Sequence, residues 1–194
     1  MAQRDTRDLI VATADDLFYR QGFEPTSFAD IALAVGISRG NFYHHFKSKD
    51  EILTAVIGKR LADRHMMMER WEADVADPLG RIERFIDILL VNGEKIRCHG
   101  CPIGTLTSEL SKLDHAARPE AVRLFSLFRS WLARQFTQLG RGADADRLAL
   151  ELLSRSQGAA TLYNAFHDRD FLDREVAAMK HWLRDAAADA GVDN

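Results

Sequence analysis

The chain has 194 residues, 46% hydrophobic and 28% charged, with a formal net charge of -3. That length buries a sizeable core in one or two domains, and the composition is that of a globular protein rather than a disordered or fibrous one. No secretory leader and no apolar run long enough to span a membrane is apparent, so the expected compartment is the cytoplasm with no membrane partner, and the faintly acidic balance excludes binding to nucleic acid by bulk charge alone.

Residues 7–21 read as a first helix, with Ile10, Ala14, Leu17 and Phe18 on one face and Gly22 as its stop. A second follows closely. Thr26 and Ser27 offer N-caps, Ser27 and Asp30 have capping-box spacing, and Phe28, Ile31, Ala32 and Val35 recur at helical intervals. Gly36 ends that helix, because glycine takes the left-handed conformation without a Cβ penalty. Ile37 can then plug the core between two helices, and Ser38 can cap a third that runs Arg-Gly-Asn-Phe-Tyr-His-His-Phe-Lys-Ser-Lys to Lys49. From Ile31 to Lys49 the only charged residues are Arg39, Lys47 and Lys49, with His44 and His45 beside them. Two short helices joined at a glycine, the second of them basic, form a helix-turn-helix pattern suited to the major groove of DNA.

Within that pattern Phe42 and Phe46, four apart, face inward, and the residues off their face are the candidates for contact. Arg39 can meet guanine O6 and N7 bidentately, Gly40 lets the backbone come close to the groove, and Asn41 can reach a base or a phosphate. Ser27, with Thr26 beside it, sets hydroxyls and N–H groups at a helix N-terminus where a phosphate binds well.

A fourth helix starts near Lys49, with Asp50 and Glu51 in its first turn, and continues to about Val75. Asp77-Pro78 is an N-cap followed by proline at the first helical position, and Ile82, Phe85, Ile86, Leu89 and Leu90 give the apolar stripe of a fifth. Gly93 and the stretch Cys98–Gly104 interrupt the pattern. Further helices are expected over Thr105–Leu113, Pro119–Leu139, Asp144–Phe166 and Phe171 to about Ala190, the last capped by Asp170. Alternating β-branched runs are absent, so the fold class is all-α with about nine helices.

Catalytic and cofactor chemistry has no foothold here. There is no paired-carboxylate motif, no glycine-rich phosphate loop and no nucleophile elbow. Cys98-His99-Gly100-Cys101 invites a zinc reading, but a structural site needs four ligands and no second Cys/His pair has suitable spacing; His65, His115, His167 and His181 form no metal pattern either. A thioredoxin-like dithiol expects a βαβ context that is missing. What is left for the two cysteines is a pair of small buried hydrophobes, or a reactive thiol pair in a small helical enzyme, the alternative to a DNA-binding function.

Gly22-Phe23-Glu24-Pro25-Thr26-Ser27, Asp30-Ile31-Ala32, Gly36-Ile37-Ser38-Arg39-Gly40, Phe42-Tyr43-His44-His45-Phe46 and Lys47-Ser48-Lys49-Asp50-Glu51-Ile52-Leu53 resemble, in order, the N-terminal domain of the tetracycline-repressor (TetR) family of transcriptional regulators. The resemblance implies a DNA-binding domain over residues 1–50 and a helical ligand-binding and dimerisation domain over residues 51–194. It further implies that Tyr43, His44 and Lys49 touch the sugar-phosphate backbone, and that a homodimer on a palindromic double-stranded operator is released by a small-molecule effector. Trp71, Phe85, Phe125, Phe128 and Tyr163 are the candidates for an apolar effector pocket. The family's C-terminal helices build a four-helix dimer interface, for which Ser154, Gly158, Thr161 and Ala165 on one helix and Val176, Met179, Leu183 and Ala187 on the other have the right spacing. Gly100-Cys101-Pro102-Ile103-Gly104-Thr105-Leu106, with Glu109, is similar to a segment of one subgroup in which a nearby cysteine senses electrophiles or oxidants; Cys101, at a helix start near Arg97 and His99, is the candidate sensor and Cys98 its possible partner.

Overall fold

The computed structural model describes residues 2–188 and folds them into ten helices, with no strand among the described residues. In chain order they are α1 (Ala2–Gln21), α2 (Phe28–Val35), α3 (Arg39–His45), α4 (Lys49–Asp74), α5 (Pro78–Val91), α6 (Gly93–His99), α7 (Pro102–Lys112), α8 (Arg118–Gln138), α9 (Ala145–Phe166) and α10 (Arg169–Ala188). The all-α expectation holds, and the helix beyond the expected nine is α6, a two-turn piece set off from α5 at Asn92. The expected extension of the last helix to Ala190 lies outside the described residues.

Local chemistry sets most of the boundaries. Ser27 and Asp30 form a reciprocal capping box, each side chain accepting the other's backbone N–H at 3.1 and 2.8 Å. Gly36 closes α2 in the left-handed region at φ 71° and donates to the carbonyls of Ala32 and Leu33. Asp77 caps α5 through both carboxylate oxygens, ahead of Pro78. At α10 the cap is Asp168, whose side chain accepts from Phe171 N–H at 3.0 Å; Asp170, the expected cap, sits in the first turn instead.

Packing gathers the described residues into two units, those up to residue 63 with 102–124, and residues 64–101 with those from 125 onward. In the first, Ile10, Ala14, Phe18, Phe23, Ile31, Phe42, Phe46, Leu53 and Val56 share a core with Leu106 and Leu110 of α7 and Ala121 of α8. Arg60 is 5% exposed there, its Nε 2.7 Å from Asp15 of α1 and its Nη1 2.6 Å from the carbonyl of Pro102. In the second unit α10 lies on α5 and α9, and Val176, Met179 and Leu183 point into that packing. Those three were expected at a dimer surface, and their burial within the chain removes them from one. The α9 stripe of Ser154, Gly158, Thr161 and Ala165 is exposed as expected, with Leu162 and a 69% exposed Phe166 beside it.

Candidate nucleic-acid interface

Aromatic contacts fix α3 against α2. Phe28 meets the ring of Phe42 edge-on at 4.8 Å and that of Tyr43 at 5.2 Å, while the Arg7 guanidinium lies 4.9 Å over the ring of Phe46. Phe42 and Phe46 are buried, as their spacing requires. Ser38 caps α3 by accepting the Asn41 N–H at 3.3 Å.

What remains outward on α3 is Arg39, Gly40, Asn41, Tyr43 and His44, all exposed, followed by Lys47. The Lys47 ammonium donates to the carbonyl of Tyr43 and its backbone N–H to Glu51 at 2.7 Å, so the turn after α3 is fixed. A Cβ built on Gly40 meets nothing within 4 Å, which means that the protein's own packing does not demand glycine there. Tyr43 is 46% exposed, with its ring packed against that of Phe28. Ser27 is exposed at the N-terminus of α2. The Ser27 hydroxyl, and then its N–H, hold the Asp30 carboxyl below the ordinary aspartate range, so Asp30 stays ionised within the cap.

Two expected contacts sit differently. Thr26 is fully buried and its hydroxyl donates to the Gly22 carbonyl at 2.7 Å, so its side chain is a fixture of the fold and not a phosphate ligand. Lys49 is half-buried; its ammonium lies 4.1 Å over the ring of Phe23 and donates to the carbonyls of Phe23 and Glu24 at 3.0 and 3.3 Å. Its first task is to hold the α1–α2 loop. Glu109, named in the sequence only as part of the resemblance around Cys101, uses its two carboxylate oxygens to accept the N–H groups of Phe23 and Glu24, each at 2.9 Å, a pairing that sequence pattern did not show because contacts so far apart in the chain leave no period to read.

The expected pocket residues divide. Phe85 and Phe128 are buried with rings 5.4 Å apart, and Trp71 stands 5.5 Å from Trp131. Phe125 is half-buried on α8, and Tyr163 is buried on α9, where the next residue, Asn164, donates to the carbonyls of Ile96 and Arg97. Glu72 was not anticipated; it accepts from the Trp131 indole N–H at 2.8 Å and from Gln135 at 3.1 Å. Cys98 is exposed in the last turn of α6 and Cys101 is half-buried just before α7, with no disulfide between them. Arg97 is paired with Glu94 at 3.0 Å. Among the described residues no cluster could hold a metal, and no helix is long and apolar enough to cross a membrane.

A capped two-helix hairpin that presents one basic, aromatic-braced helix to solvent defines a helix-turn-helix DNA-binding protein. Residues 10–56 match the model of the tetR family of bacterial regulatory proteins, and residues 78–179 match the C-terminal domain of LmrA/YxaF-like transcriptional regulators. The chain belongs to the TetR family of transcriptional regulators. It is 28% identical to an HTH-type transcriptional regulator in the lacX 3′ region of Lactococcus lactis, over 91% of this chain and 92% of that one. It is 25% identical to the HTH-type transcriptional repressor DhaR of a Mycobacterium species, over 92% of each. A crystal structure of a TetR transcriptional regulator from Chloroflexus aurantiacus shares the fold with a TM-score of 0.82 and 24% identity, over 94% of this chain and 96% of that one. These relatives are regulators and lend the thiol-enzyme alternative no support.

Proposed function

We propose that this protein is a cytoplasmic repressor that binds a palindromic operator as a homodimer and leaves it when a small molecule occupies the C-terminal domain. The outward row Arg39, Gly40, Asn41, Tyr43 and His44 on a helix braced from behind by Phe28 carries the reading. Residues 1–50 supply the DNA contacts, Arg39 reading a base while Ser27, Tyr43 and His44 grip phosphates and set register. The remainder supplies the dimer through the exposed α9 stripe, and the effector site through the Phe85–Phe128 and Trp71–Trp131 groups.

Two copies of α3 must sit about 34 Å apart to enter successive major grooves on one face of a duplex. An effector acts by binding better to a form in which that spacing is wrong, so that its differential affinity drains the DNA-competent population. The signal is either a reversible apolar ligand or an electrophile or oxidant acting at Cys101, with Cys98 as a second thiol. The deciding experiment is selection of duplexes from a random pool by the full-length protein. A palindromic consensus bound far more tightly than scrambled duplex, with affinity falling steeply as salt rises, is the expected result; retention without sequence preference rejects the operator reading.

A further inference from the structure

From Gly22 to Glu24 every backbone polar group of the α1–α2 loop has a partner, and most of those partners are side chains from distant elements. The Gly22 N–H donates to Phe18 and its carbonyl accepts from Thr26. The N–H groups of Phe23 and Glu24 both go to the Glu109 carboxylate on α7, and their carbonyls both go to the Lys49 ammonium on α4. Glu109 also comes close to Gly22, where a Cβ would lie 3.0 Å from Oε1; with φ at +94° the position demands glycine twice over. The His115 ring packs edge-on against Phe23 at 5.0 Å from the turn after α7.

α7 is itself held at both ends. Its first residue, Pro102, gives its carbonyl to buried Arg60, which pairs with Asp15 of α1, and Leu106 and Leu110 lie in the same core as the helix-turn-helix. A shift of α7 therefore cannot be absorbed locally. It has to pull the loop that seats Ser27 and α2, and with α2 goes α3, through the Phe28–Phe42 contact.

We propose that Glu109 is a positioning residue for operator binding, the point at which α7 sets the seat of the helix-turn-helix. The proposal rests on the DNA-binding reading and adds to it a specific carboxylate that never touches DNA. It is tested with the full-length wild type, Glu109→Gln and Glu109→Ala, on the duplex selected by wild type and on a scrambled duplex, alongside amide exchange at Phe23 and Glu24 and the thermal midpoint. Glu109→Ala is expected to lose about tenfold in affinity for the selected duplex, in the range of ordinary coupling between sites, while scrambled duplex changes by less than about twofold. Exchange at the two amides should quicken, and Glu109→Gln, which keeps one acceptor oxygen, should fall between. Unchanged specific affinity in either variant overturns the proposal, as does a parallel loss on both duplexes that follows the thermal midpoint, since that makes Glu109 a stabilising contact only. Failure of wild type to select any sequence is a different result, and it defeats the operator reading and the proposal together.

Discussion

At the scale of single residues the contact face separates groups the fold uses from groups it leaves for a partner. Arg39 has no task in the fold that its exposure reveals, so Arg39→Ala should leave the thermal midpoint unchanged, cost about 1 to 3 kcal/mol at the operator and relax preference at one base position; equal losses on every duplex would reduce Arg39 to a phosphate contact. Gly40 sharpens the same test. With open space around its missing Cβ and a helical backbone, Gly40→Ala should stabilise α3 by up to about 1 kcal/mol through helix propensity alone. Yet if the backbone must approach the groove closely, the same methyl should weaken operator binding, and a variant that is both more stable and fully active would remove Gly40 from the interface. Lys49 behaves in the opposite way. Because its ammonium serves two carbonyls and a ring within the protein, Lys49→Ala should lower stability by about 1 kcal/mol or more and leave the slope of affinity against salt nearly unchanged. A slope that falls by a full phosphate contact would return Lys49 to the DNA face.

At the scale of helices, the cap of α2 joins stability to binding, and the two can be pulled apart. Ser27→Ala should cost about 0.5 to 2 kcal/mol, whereas Ser27→Asp keeps an N-cap acceptor and adds a negative charge where a phosphate is expected, so it should preserve the melting temperature and weaken all duplexes alike. The partner Asp30 has its pKa lowered by Ser27, so its share of the cap is fully present above the ordinary aspartate range and is lost as pH falls through the depressed value. Acid titration followed by amide exchange at the Ser27 N–H, which the Asp30 carboxylate accepts, should show that loss, and Asp30→Asn should abolish its pH dependence. Glycine stops, apolar spacing and the caps of α2, α3 and α5 were legible because each is written within a few residues, whereas at α10 two nearby aspartates left the choice of cap to the structure. The spacing of Val176, Met179 and Leu183 marked a buried face equally well, but periodicity cannot say which surface covers it, and here α5 and α9 of the same chain do so. For the same reason Arg60–Asp15 and Glu109–Phe23 were invisible, although both determine how α7 is seated. The exposed α9 stripe remains for assembly. Gly158→Arg puts a charge and a long side chain on a spot that is open within one chain, so the isolated fold should tolerate it while a dimer should not; light scattering that still returns a dimer mass would take this face out of the interface.

At the scale of the whole molecule a net charge of -3 is reconciled with DNA binding because the basic residues between Ile31 and Lys49 meet no acidic neighbour on their own segment. On the proposed reading, specific binding then depends on how that segment is presented, and presentation on α7. The chain passes from α6 to α7 through Gly100, at φ 76°, and Cys101, so both thiols lie within four residues before the start of α7, the element proposed to seat the helix-turn-helix. Sequence favoured Cys101 as the reactive one on account of its helix start. Exposure adds a distinction: Cys98 is open to solvent and Cys101 is half-buried, so alkylation by a maleimide should reach Cys98 first while any loss of DNA binding should follow modification of Cys101. The experiment is a titration of operator binding against a maleimide, and separately against peroxide, for wild type, Cys98→Ser and Cys101→Ser, with the modified residue identified by mass at each step. Cys101→Ser should stay bound throughout. Cys98→Ser should still respond to the maleimide, and under peroxide it should pass beyond the reversible stage, lacking the neighbouring thiol that would otherwise trap a sulfenic acid as a disulfide. Wild type that remains on its operator with both thiols fully modified would exclude thiol sensing and leave a reversible ligand among Trp71, Phe85, Phe128 and their neighbours as the signal, because a change at the head of α7 would then have been made without moving the elements it is pinned to.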